Sequence, residues 1–248
     1  MGEPVAPLNP PLLQRAALGR ALALGAWALV LLRSSSDGRL DLLLRAGFHP
    51  LVLLAGLLLL VLAGLQLRLG LGLEPDGAAE RLQGRQGLTL GATLLLAGLL
   101  LLLPPQPSFA TLAGQRPADR TAASTEASEL SFTLPPAQRS LTDWVRLLRS
   151  QPDPRLFEGQ PVRISGFVLP RPDGPPQLAR LLVRCCLADA APVGLPVRWP
   201  QQNPLPEADQ WLSIEGVMAV EAASGGETLV VVPERIEAIP RPARPLEP

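Results

Sequence analysis

The feature that most constrains this chain is an apolar run of twenty residues without a charge, Phe48 to Leu67, which ends at Arg68. At a helical rise of about 1.5 Å per residue, such a run reaches across the roughly 30 Å hydrocarbon core of a bilayer. A helix that is apolar on every side needs lipid or a large protein core around it. The run therefore predicts a membrane-spanning helix.

Two further apolar runs flank this one. The first, Ala16 to Leu32, carries only Arg20 as an internal charge, and the third, Leu88 to Leu103, has no charge and stops at Pro104. A signal peptide is the alternative for the first run, but no small-residue cleavage site follows it. A buried helix of a soluble domain is the alternative for the third, although it shows no amphipathic pattern. We expect spans at about residues 16–32, 48–67 and 88–103, in a membrane region that covers residues 1–103.

The arginines that lie between these runs or near their ends bear on orientation, because basic residues are enriched in cytoplasmic segments. Five lie on the N-terminal side of the membrane in a three-span arrangement, and three lie on the other side: Arg15, Arg20, Arg68, Arg81 and Arg85 against Arg33, Arg39 and Arg45. This count predicts a multi-pass protein of the cell membrane with a cytoplasmic N-terminus. The C-terminal region is then extracytoplasmic, and it changes sides if the first or third run does not span.

The charge balance and the histidine count exclude several function classes. The chain has 22 basic and 22 acidic side chains, so it lacks the broad positive field on which nucleic-acid binding depends. His49, at the edge of the second apolar run, is the single histidine, so there is no Ser-His-Asp arrangement to propose across the soluble domain. We therefore expect neither a nucleic-acid partner nor an enzyme, and the lipid bilayer is the first partner that the sequence indicates.

Beyond Pro104 the composition changes to that of a tether followed by a soluble domain. Residues 104–137 are rich in Pro, Ser, Thr, Ala and Gln without an apolar period, which is typical of a linker. Ser140 then begins a short helix with Asp143 three residues later as an approximate capping box. We expect a soluble domain over residues 138–240 and a tail over residues 241–248.

The soluble domain is predicted to be all β after this one short helix. Val162, Ile164 and Gly166 alternate with polar residues, and turn signals lie at Arg171–Gly174 and Ser224–Gly226. Five short strands of this kind suit a small closed barrel resembling the oligonucleotide/oligosaccharide-binding fold, with an open sandwich as the alternative. The predicted strands are Pro161–Leu169, Ala179–Leu187, Gly194–Trp199, Trp211–Val220 and Thr228–Ile239.

The two cysteines, Cys185 and Cys186, are adjacent, which excludes a disulfide framework and favours free thiols. With Arg184 and Asp189 they are the candidate ligand-binding or partner-binding residues. Neighbouring side chains of a strand point to opposite faces, so the two thiols could share one ion only at a bulge. Three interpretations stay open: packing as small apolar groups, a thiol role, or a divalent metal held by Cys185, Cys186 and Asp189. No other cofactor is indicated.

Three segments of the β region, Gly159–Val168, Ala179–Ala190 and Gly194–Val197, resemble the C-terminal domain of the YcgQ-like bacterial membrane proteins. That family consists of predicted subunits of a two-component permease and is largely uncharacterised. The resemblance implies an accessory subunit of a transport system whose β domain docks on, or presents a ligand to, a larger polytopic permease. Some relatives carry a His-rich stretch between the second and third helices, whereas Gly70 to Gly87 of this chain contains no histidine.

The alternative function comes from another class and rests on the cysteines. It is a membrane-tethered binding domain that is active through a metal or a thiol at the Cys-Cys-x-x-Asp run.

Overall fold

The computed structural model describes residues 10–69, 83–103, 107–115, 134–151, 153–172, 174–201, 204–223 and 226–247. Contacts divide the chain into two units. The first consists of Met1–Leu40 and Ala46–Gln106, and the second of Asp41–Arg45 and Pro107–Pro248. The short segment Asp41–Arg45, which connects the first two helices, therefore belongs to the second unit, and we call it the connector.

The first unit is helical, with α1 over Pro10–Ser36, α2 over His49–Leu69 and α3 over Gln83–Leu102. Two of its segments are long and apolar enough to cross a membrane, Leu18–Ser36 and Ala46–Arg68, and Gly87–Leu102 is a shorter apolar helix. The polar loop predicted after α2 lies largely outside the described residues. The helical N-terminal region is thus confirmed, while its orientation stays a prediction.

Glycines on α2 and α1 allow close packing of neighbouring helices, α2 on α1 and α1 on α3. A Cβ on Gly56 would lie 3.1 Å from Leu32, and a Cβ on Gly19 would lie 2.6 Å from Leu90 of α3. Elsewhere many apolar side chains of α2 are exposed, as Val61 at 64 % exposure illustrates. Exposed aliphatic surface of this kind is stable in hydrocarbon and costly in water, which agrees with a membrane-embedded helix.

The second unit is built on one sheet. Its strands are β1 (Pro161–Arg171), β2 (Gly174–Leu182), β3 (Ala191–Pro196), β4 (Trp211–Ala223), β5 (Gly226–Ala238) and β6 (Leu246–Glu247). The order is β3-β2-β1-β4-β5 with antiparallel neighbours, and β6 adds in parallel to β2. Five of these strands correspond to the five predicted ones. The sixth lies within the predicted tail, where β6 continues the sheet.

The sheet is open, so the closed barrel that the sequence predicts is not formed. Its edge strands, β3 and β5, meet in the described part of the chain at one isolated bridge between Val197 and Val231. Proline explains why no ladder extends from that bridge, since it has no N–H to donate. Pro196 ends β3, and Pro233 follows Val231 by two residues on β5.

The hairpin turns are described only in part, because Asp173, Ser224 and Gly225 lie outside the described residues. The strands on either side pair as the turn signals predict. Arg171 pairs with Gly174, and Ala223 pairs with Gly226.

Each face of the sheet buries a separate apolar cluster. One face is covered by α5 (Leu141–Ser150), which places Trp144 and Leu147 against the strands. Ser140 and Asp143 form the predicted capping box at its start. The other face is covered by α4 (Phe109–Gly114), whose Phe109 ring lies 6.1 Å from that of Trp211.

The helix α4 differs from the tether predicted for residues 104–137. Its first turn is held by Asp209, which lies at φ +65°. The Asp209 carboxylate accepts the Ala110 N–H at 2.6 Å and the Ser108 hydroxyl. Burial of Phe109 against the sheet favours this arrangement, because an aromatic side chain removes a large apolar area from water. Residues 104–106 and 116–133 of the predicted linker lie outside the described residues.

Candidate metal and thiol site

The strand predicted over Ala179–Leu187 ends at Leu182, so the two cysteines lie in a turn and not in a strand. Beyond β2 the chain bends and enters a short 3-10 helix over Leu187–Asp189. The expectation that the two thiols point to opposite faces is therefore wrong. A turn rotates successive side chains differently from a pleated strand, and here it brings the two sulfurs to the same side.

The turn gathers three potential metal ligands. The Sγ atoms of Cys185 and Cys186 are 3.4 Å apart, and with a carboxylate oxygen of Asp189 all three ligand atoms lie within 4.8 Å of one another. Both thiols are free and half-buried, and Asp189 is exposed. Among the residues that the structure describes, no other group of three His, Cys, Asp or Glu side chains comes together in this way.

Asp189 organises the turn through the backbone. One carboxylate oxygen accepts the Arg184 N–H at 2.9 Å, and the other accepts the N–H groups of Cys185 at 2.8 Å and Cys186 at 3.3 Å. Arg184, a predicted site residue, thus contributes its backbone amide while its side chain is exposed. Three consecutive amides on one carboxylate explain why the strand does not continue, since these donors are turned away from any neighbouring strand.

The same carboxylate changes the acidity of the thiols. The hydrogen bond to Asp189, followed by the contact with Cys186, raises the pKa of Cys185 to about 12. Desolvation raises the pKa of Asp189, but the thiol and amide donors outweigh it and lower that pKa overall. At neutral pH the Cys185 sulfur is therefore protonated and Asp189 is ionised. A metal that binds the sulfur must displace the proton.

The connector forms the other side of the turn. Leu44 makes an antiparallel bridge with Cys186, the Arg45 N–H donates to the Cys185 carbonyl at 3.0 Å, and the Leu187 N–H donates to the Leu43 carbonyl at 2.7 Å. Sequence reasoning missed these partners. The only available signal was the run Leu42 to Leu44, which is apolar but too short to extend a span.

The distances suit a tetrahedral ion. Zinc binds thiolates at about 2.3 Å, so two sulfurs on one tetrahedral centre are about 3.8 Å apart. The observed 3.4 Å needs only a small rotation of either side chain to reach that value. A disulfide would instead need the sulfurs at about 2.05 Å.

Two surface clefts of the second unit, of about 540 and 890 Å³, lie elsewhere. Neither is lined by a cysteine or by Asp189. The cluster therefore lies on a turn outside both clefts.

Comparison with known families finds a match to the region that contains the site. Residues 131–246 match the family model described as the DUF1980 C-terminal domain, a family without an assigned function. No curated protein and no solved structure matches the chain. The matched region includes the cysteine turn but not the connector. The resemblance to YcgQ-like permease subunits has no named relative behind it and stays a prediction.

Proposed function

We propose that this chain is a membrane-tethered domain that binds a thiophilic divalent metal ion at the turn of Cys185, Cys186 and Asp189. The observation that carries the proposal is the convergence of their three ligand atoms within 4.8 Å on an exposed turn. Paired thiols held on one side by backbone hydrogen bonds suit chelation better than packing, because a packed cysteine would be buried among apolar side chains.

Ligand chemistry narrows the class of ion. Thiolate sulfur favours zinc and softer ions over magnesium and calcium, which take oxygen ligands. The sulfur separation supports tetrahedral ligation of zinc or cadmium. A linear centre with two sulfur ligands would instead hold the sulfurs on opposite sides of the ion. Their separation would then be twice the metal–sulfur bond length, which is roughly 2.3 Å.

Tethering is supported by the two helices of membrane-crossing length, Leu18–Ser36 and Ala46–Arg68. Anchoring a small metal-binding domain beside a membrane raises its local concentration for any membrane partner. This effect of anchoring is a reason for one chain to join an apolar helical unit to a β-rich unit.

Metal content of the purified full chain tests the proposal. We expect one zinc per chain after loading and desalting in detergent, and loss of that zinc in the double variant Cys185→Ser, Cys186→Ser. Asp153→Asn is the matched control, because Asp153 also accepts a backbone amide, that of Arg155 at 3.0 Å, away from the cysteines. Equal zinc content in the wild type and the double variant would refute metal binding at this turn.

A second candidate function is the accessory permease subunit that the sequence resemblance implies. Exposed aliphatic residues along α2, such as Leu54 and Leu58, favour it because another membrane helix can cover them as well as lipid can. In that role the metal-binding turn would present its ion to the polytopic partner. Cross-linked co-purification of a single polytopic protein from native membranes would support this function, and recovery of the chain alone would contradict it.

A further inference from the structure

We infer that the turn supplies only two ligands, the thiolates of Cys185 and Cys186, and that Asp189 is a positioning residue, so that a bound ion keeps two open positions for the ligands of an acceptor protein. This inference rests on the proposed function and deepens it. A site with open coordination positions can pass its metal ion to another protein, whereas a closed site only holds the ion.

The hydrogen bonds of Asp189 carry the first step of the argument. A carboxylate offers about four lone-pair sites. Three of them receive the amides of Arg184, Cys185 and Cys186 at 2.8 to 3.3 Å. Withdrawing these oxygens to a metal would leave the amides of the turn without their acceptor, and the turn that brings the sulfurs together would lose its support.

The surroundings carry the second step, because the described residues around the turn add no further His, Cys, Asp or Glu to the ligand group. The connector reaches the turn through backbone groups of Leu43 and Arg45. Its one acidic residue, Asp41, lies outside the ligand group and pairs with Arg244 at 3.4 Å. Among the described residues, therefore, the two sulfurs are the ligands that remain available.

Coordination number then decides the chemistry. Structural zinc sites are closed by four protein ligands, whereas sites that keep positions open exchange what is bound there. Two thiolates leave two positions for water. An acceptor with nitrogen or sulfur ligands can replace these waters first and the thiolates afterwards. The two protons released when the thiols bind metal are taken up again when they let it go, and no electron is transferred.

Cobalt(II) provides the test, because it substitutes for zinc and its thiolate charge-transfer band reports sulfur ligation. The full chain in detergent is loaded with one Co²⁺ and titrated with the bidentate chelator 2,2′-bipyridine. We expect a complex of chain, cobalt and bipyridine in equal amounts that keeps the charge-transfer band of two thiolates. Removal of the cobalt without such a complex would overturn the inference.

Asp189→Asn separates a positioning role from ligation. We expect the variant to bind Co²⁺ about 10- to 100-fold more weakly, as is usual when a supporting residue is changed, with the charge-transfer intensity per bound cobalt unaltered. A bipyridine complex that forms only in the variant would show that Asp189 fills a coordination position and would overturn the inference. Failure of the proposed function looks different, since the wild type would then show no thiolate band at all. Asp153→Asn again serves as the control.

Discussion

Leu44 and Cys186 pair across an antiparallel bridge, although they are separated by most of the chain. The bridge joins the connector between two candidate membrane helices to the turn that carries the thiols. Its flanking backbone hydrogen bonds, from Arg45 to Cys185 and from Leu187 to Leu43, lie on either side of Cys186 along the chain. The backbone of the turn is therefore in direct contact with the connector.

This relationship predicts that metal protects the connector from hydrogen exchange. A zinc ion bound by the two thiolates would fix the turn, so the hydrogen bonds between the turn and residues 41–45 should open less often. We expect slower amide exchange in peptides that contain Leu43 to Arg45 when zinc is added. The variant Cys185→Ser, Cys186→Ser should show no such slowing. Equal exchange with and without zinc in the wild type would contradict the coupling.

Two glycines in the sheet make a stability prediction. A Cβ on Gly166 would lie 2.5 Å from the carbonyl oxygen of Ala179, and one on Gly216 would meet that of Val232. Valine at either position should therefore lower the free energy of unfolding by about 1 to 3 kcal/mol, even though valine has the higher strand propensity. Gly174→Ala is the control, since nothing lies within 4 Å of its added Cβ. Thermal melts that stay unchanged or rise in the valine variants would argue against the close approach.

The raised pKa of Cys185 predicts low reactivity of its thiol. Because the thiolate is the nucleophile and the pKa is about 12, alkylation by iodoacetamide at pH 8 should be much slower than for an ordinary exposed cysteine. The rate should increase as the pH rises towards that value. Asp189→Asn removes the main cause of the shift and should accelerate the reaction at pH 8, as followed by mass spectrometry. Rapid alkylation of the wild type at pH 8 would contradict this electrostatic account.

Anchoring gives a prediction about fractionation. The run Phe48 to Leu67 has no charged side chain and is long enough to span a bilayer. The full chain should therefore remain in the membrane pellet after washing with alkaline carbonate. Replacing Leu54 and Leu58 by arginine should weaken that retention, because charges near the centre of a span are costly. Release of the wild type into the supernatant would contradict membrane insertion.

Local patterns predicted much of the fold. Alternation around Val162 and Ile164 indicated a strand, and Ser140 with Asp143 indicated the start of α5, because both signals involve neighbours in sequence. The open sheet could not be predicted, since closure depends on how the distant edges at Val197 and Val231 meet. Burial of Phe109 likewise depends on Asp209, about a hundred residues away. The local composition therefore predicts a linker where the helix α4 forms.

The site also combines features that neighbouring residues determine with features that distant contacts determine. Its residues, Cys185, Cys186 and Asp189, could be chosen from the sequence because their types and spacing carry the chemistry. Their arrangement could not, because the strand pattern continues through them while the Asp189 carboxylate turns the backbone. The contribution of Leu44 was also hidden, since the short apolar run Leu42 to Leu44 does not indicate which distant residue it bridges.

The most direct test of the account is X-ray absorption at the zinc edge on the full chain loaded with one zinc ion. We expect two sulfur neighbours at about 2.3 Å and two lighter neighbours, oxygen or nitrogen, in a tetrahedral shell. The double variant Cys185→Ser, Cys186→Ser should show no sulfur. A wild-type spectrum without sulfur neighbours would contradict the central claim that the paired thiols bind the metal.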